Sequence, residues 1–157
     1  MSTVMTDAAH VLDVAERKLS NHNAFGEMSR LPSRLQFAAF KSAEPAWYRL
    51  DAEKSGLFVS LVTPNRWLSE SIEADLMHTG DDIEELVAEE LTDIGGPCES
   101  LKVQHFRSDD MLYTFRSPLP VNGLSDEVAA EVACQCLLAY EAAFRQLGDM
   151  DDDSDDE

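Results

Sequence analysis

The spacing of apolar residues alternates along this chain between a helical period and a period of two, and that alternation limits the fold more than any other feature. From Thr6 to His22, Ala8, Val11, Leu12, Ala15 and Leu19 recur at the three-to-four spacing of one buried helix face. Thr6 is the expected N-cap, with Asp7 in the first turn and Arg17 and Lys18 near the last, the signs the helix dipole prefers. From Arg34 the period becomes two, and strands are expected at Arg34 to Lys41, Ala46 to Asp51 and Leu57 to Val62. Pro45 and the turn Glu53-Lys54-Ser55-Gly56 separate them, and connections this short imply an antiparallel meander.

The helical period returns at Asp81 to Ile94, where Ile83, Leu86, Val87, Leu91 and Ile94 face one way and carboxylates the other, until Gly95, Gly96 and Pro97 stop it. A hairpin follows at Ser100 to Arg107 and Met111 to Ser117. Ser125 then caps a last helix running to Leu147, whose wide apolar stripe (Val128, Val132, Cys136, Ala139, Tyr140, Ala143, Phe144, Leu147) suits a central position on a sheet. Two segments are harder to read. Asn21 to Ser33, holding Gly26 and Pro32, reads as a loop. Asn65 to His78 fits a helix through Leu68, Ile72 and Leu76, but adding Ala74 fits one face of a strand, which is favoured because a helix would bury only a narrow stripe.

The expected fold is therefore α+β: one domain over residues 1–148, with an antiparallel sheet of five or six strands flanked by three helices. The element order is α-β-β-β-(β or α)-α-β-β-α, and residues 149–157 are expected to form a disordered acidic tail. Length agrees, since 157 residues is about one domain and buries roughly two thirds of its unfolded surface. In order, size and acidity the chain resembles the small acidic type III secretion chaperones and the related YbjN-like domains, from about Thr6 to Leu147. The resemblance implies a non-enzymatic domain, often dimeric, that holds an extended or helical segment of a partner.

Charge narrows the partners. The net charge is -19, and seven of the last nine residues, Asp149 to Glu157, are acidic; removing them leaves 24 acidic against 12 basic residues, so the body still carries -12. Such a field disfavours direct binding to nucleic acid or an anionic membrane and suits a basic protein partner. The tail itself could be a solubility appendage, a hook for a basic partner, or an electrostatic decoy covering the sheet. No apolar run approaches the roughly 18 residues of a membrane span, and no basic, then apolar leader opens the chain, so a cytoplasmic protein is expected. Three cysteines (Cys98, Cys134, Cys136) are too few for a disulfide scaffold and read as reduced thiols.

Catalysis needs a nucleophile with its base, paired carboxylates in a cleft, or a metal cluster, and none stands out in the sequence. His10, His22, His78 and His105 are scattered, with no spacing that puts two ligands on one face. Cys134 and Cys136 point about 200° apart on a helix, with only Cys136 on the apolar stripe, which suits a small buried hydrophobe better than a metal ligand. Gly95-Gly96 follows a helix and precedes Pro97, the wrong context for a phosphate loop, and the carboxylates of 81–94 form no calcium loop. No cofactor, no metal and no enzymatic activity are expected.

What remains is a concentration of cations in the strand segments. Arg30, Arg34, Lys41, Arg49, Lys54 and Arg66, joined by Lys102, Arg107 and Arg116 from the hairpin, alternate with Trp47, Trp67, Phe106 and Phe115. If they share a sheet face, they form a partner-binding surface, with Trp47 and Trp67 as anchors and Arg34, Arg49, Arg66 and Arg116 as its charges; otherwise they form cross-strand ion pairs. The expected function is a protein-binding adaptor or secretion-chaperone-like module, acting alone or as a homodimer. The alternative is an acidic nucleic-acid mimic that occupies the groove of a basic nucleic-acid-binding protein.

Overall fold

The computed structural model describes residues 8–20, 25–39, 45–53, 56–80, 82–95, 101–108, 111–121 and 124–147. In chain order these form α1 (Ala8–Leu19), β1 (Phe25–Leu31), β2 (Arg34–Ala39), β3 (Trp47–Glu53), β4 (Gly56–Thr63), α2 (Arg66–Thr79), α3 (Ile83–Asp93), β5 (Gln104–Arg107), β6 (Tyr113–Pro118) and α4 (Asp126–Arg145). The strands make one antiparallel sheet in the order β1-β2-β3-β4-β6-β5. The α+β class and the antiparallel meander are as the periodicity predicts. Thr6, Asp7, Cys98 and the tail 149–157 lie outside the described residues.

Two segments differ from expectation. Residues 25–31 are not a loop: they are β1, joined to β2 across the two residues Pro32 and Ser33, with Leu31 opposite Arg34. Pro32 sits in the turn, where its missing N–H costs no ladder bond. Gly26 opposes a tight stretch of β2, where a Cβ would stand 3.2 Å from the Ala38 carbonyl oxygen. Residues 66–79 are a helix and not a strand. Asn65 Oδ1 accepts the Leu68 N–H at 2.9 Å, and Gly80 closes the other end at φ 76° with its N–H on Leu76 O. Both ends are thus satisfied locally. The narrow stripe suffices because Leu68, Ser69 and Ile72 are buried against a sheet that β1 has already brought to six strands.

Alternation divides the strands cleanly. Met28, Phe37, Tyr48, Leu61, Phe115 and His105 form one transverse row on the helix-bearing face, and Leu35, Leu50, Val59 and Ser117 another. Against them pack Val11, Leu12 and Ala15 of α1, Leu68 and Ile72 of α2, Val87 and Leu91 of α3, and most of α4. The buried Tyr140 and Ser117 hydroxyls bond each other, fixing α4 on β6. Cys134 is buried as well as Cys136, a departure from the single stripe expected, because α1, α3 and the sheet together enclose α4. Burial pushes the Cys134 thiol up to about 11 and the Cys136 thiol up to about 12. No helix of the described residues is long and apolar enough to cross a membrane.

Candidate functional site

The second sheet face carries no helix among the described residues; its buried Phe58 and Val62 belong to no part of the helix-packed core. Register builds it in three transverse rows. The first runs Ala38, Trp47, Val62, Thr114, Phe106; the second Ser29, Gln36, Arg49, Ser60, Arg116, Gln104; the third Leu31, Arg34, Asp51, Phe58, Pro118. Strands are about 4.8 Å apart, so Arg49 and Arg116, either side of Ser60, are anchored roughly 10 Å from each other. Arg34, Arg49 and Arg116 therefore share one face, the condition on which a binding surface depends.

The cations are held in place. Arg34 Nε lies 2.6 Å from Asp51 Oδ1, and Arg116 Nη1 lies 3.0 Å from Glu53 Oε2. Arg49 Nε donates to the neutral Gln36 Oε1 at 2.7 Å. The Arg116 guanidinium also rests over the Phe58 ring, 3.9 Å from its centroid, with Phe106 at 6.0 Å. Its Nε is buried and has no hydrogen-bond partner among the described residues. Between these groups opens a cavity of about 160 Å³, lined by all three arginines, Asp51, Glu53, Ser60, Thr114 and Phe106. Asp51 and Glu53 pair with Arg34 and Arg116, and three arginines stand against these two carboxylates in the cavity wall.

Of the six expected site residues, this face unites Trp47, Arg34, Arg49 and Arg116. It does not include Trp67 and Arg66. Both stand on the first turn of α2, Trp67 78 % exposed and Arg66 paired with Glu70 at 2.8 Å one turn along. Nor does it include Phe115, which points into the core beside Phe144, or Arg30, which reaches α1 at Asp13. Ser60 and Thr114, absent from the sequence reading, line the cavity, and Phe58, likewise absent from it, stands on the same face against the Arg116 guanidinium. The run Leu57 to Val62 hid Phe58 and Ser60, since a strand buried on both faces shows no alternation.

A second polar cluster joins α2 to the sheet edge. His105 of β5 stacks on Phe115, rings 3.9 Å apart, with Nδ1 2.7 Å from Glu73 Oε2 and Nε2 3.3 Å from Ser69 Oγ. Burial lowers the imidazole from its ordinary value and outweighs the pull of Glu73 the other way, so the ring is neutral at pH 7. Glu73 can only accept, so Nδ1–H donates to it and Nε2 accepts from the Ser69 hydroxyl. Residue spacing does not show this serine, histidine and carboxylate arrangement, because its members come from two distant segments. Ser69 is 3 % exposed and offers no surface to a substrate, so the cluster acts as a clamp between α2 and β5. No group of three or more potential metal ligands occurs among the described residues.

No family model, curated protein or solved structure matches this chain.

Proposed function

We propose that this protein is a non-enzymatic, protein-binding adaptor of the secretion-chaperone or YbjN-like kind, acting in the cytoplasm, that docks a partner segment on the helix-free face of its sheet. The observation that carries this reading is the arrangement of Phe106, Arg34, Arg49 and Arg116 around one cavity, with Trp47 on the same sheet face. Aromatic and arginine side chains dominate protein contacts, because each contributes large area or several directed donors with little entropy to lose. Here the arginines are also pre-organised by Asp51, Glu53 and Gln36, which lowers the ordering cost of binding. The nucleic-acid-mimic reading has less support, since two carboxylates of its expected helix are engaged internally. Glu84 accepts the Val103 N–H, and Glu90 accepts from Gln146.

A photo-crosslinking residue placed at Trp47, and separately at the exposed Met77 of α2, tests the reading in cells. A discrete protein adduct from position 47, absent from position 77 and reduced at least tenfold by Arg49→Glu, is expected. Adducts from both positions, or adducts indifferent to Arg49, would sink the assignment of this face.

A further inference from the structure

We propose that the chain's own acidic segment, Asp149 to Glu157, occupies the arginine cavity of the helix-free face in cis and must be displaced before a partner docks. The inference rests on the docking face proposed above and names its resident competitor.

The path of α4 brings the segment within reach. Tyr140 meets Ser117 and Phe144 meets Phe115, so the second half of α4 runs along β6 towards its first residue, Tyr113. Leu147, buried at the end of that path, delivers the chain to the end of the sheet where Trp47, Val62, Thr114 and Phe106 form the nearest row of the opposite face. From there the Arg49–Ser60–Arg116 row is two residues further along the strands, about 7 Å, beyond a layer roughly 10 Å thick. Nine extended residues span about 30 Å, enough for the turn around the edge and the crossing.

Charge selects the occupant. On a molecule of net charge -19, the cavity is a place where cations outnumber carboxylates, three arginines against Asp51 and Glu53. Seven carboxylates in nine residues complement it. A separate acidic peptide would meet the repulsive field of the whole body on approach. The tethered segment instead is present at an effective concentration in the millimolar range, so contacts too weak for a free peptide still fill the site.

The test compares NMR spectra of the full chain with those of a chain ending at Gly148, at about 20 mM and 500 mM salt. A full-length variant carrying Asn or Gln at the seven tail carboxylates guards against a folding effect of truncation. Both changes should shift the Trp47 indole and the amides of Arg49, Ser60 and Arg116, leave the Trp67 indole in place, and lose most of the difference at high salt, where the screening length falls to a few Å. A free peptide of residues 149–157, added at millimolar concentration to the shortened chain, should restore the same shifts, and Arg49→Gln should abolish them. If the tail changes move nothing on this face while the free peptide still binds there, the cis inference falls and the docking face stands. If neither perturbs the face, both fall. Shifts that grow with protein concentration would mean the tail of a second copy, and would overturn the cis arrangement.

Discussion

Arg34 and Arg49 stand on neighbouring strands but answer to different demands. Asp51, only 8 % exposed, has its carboxylate held by Arg34, so Arg34→Met would leave a buried charge without its cation. The expected loss is about 1–3 kcal/mol, measured by urea unfolding, because an uncompensated buried charge costs more than the pair gains. Arg49 donates to the neutral Gln36 amide, and Arg49→Met should weaken partner capture. An Arg34→Met protein as stable as the parent would contradict this role for the Arg34–Asp51 pair. Thiol chemistry supplies a second residue-scale expectation. With Cys134 raised to about 11 and Cys136 to about 12, both should resist a thiol reagent at pH 8 in the folded protein and react on unfolding in urea. Rapid labelling of either in the native state would show that α4 is not enclosed as described. The placement of Cys136 was legible from its stripe; that of Cys134 was not, because helical periodicity reports one face and cannot count how many neighbours surround the helix.

At the scale of elements, α2 shows how local and tertiary terms divide. Its ends are written in Asn65 and Gly80, and Asn65→Ala should cost about 1 kcal/mol by removing the bond to the Leu68 N–H. Its identity as a helix was obscured because one stripe of three buried residues fits either period, and the loop assigned to 21–33 left a strand position vacant. That strand is supplied by β1, whose alternation of Phe25, Met28 and Arg30 is broken by a register shift between Phe25 and Met28. The clamp on α2 carries a pH dependence. His105 is lowered from its ordinary 6.5, so the unfolded chain takes up a proton before the folded one does. The neutral ring's contribution is therefore complete above about pH 6.5 and is lost as pH falls towards the folded value. The thermal midpoint should drop across that acid window in the native protein and drop less in His105→Gln. Identical profiles for the two would remove His105 from the account.

For the whole molecule, self-repulsion at net charge -19 opposes compaction. Shortening the screening length from about 30 Å to about 8 Å, by raising salt from 0.01 to 0.15 M, should raise the thermal midpoint. A midpoint indifferent to salt would mean that local pairs such as Arg30 with Asp13 and Arg116 with Glu53 already offset the repulsion. What the sequence by itself determined was the set of local structures: helices at α1, α3 and α4, strands β2 to β6, and the antiparallel meander that short turns enforce. These follow from periodicity, capping residues and connection length, which are properties of neighbours along the chain. Only the tertiary structure decided that Arg34, Arg49 and Arg116 share a face while Arg66 and Trp67 leave it, and that His105 meets Ser69 and Glu73. Those juxtapositions depend on strand register and on which side of the sheet each helix crosses, and both are set by the burial of the whole core at once rather than by any one segment.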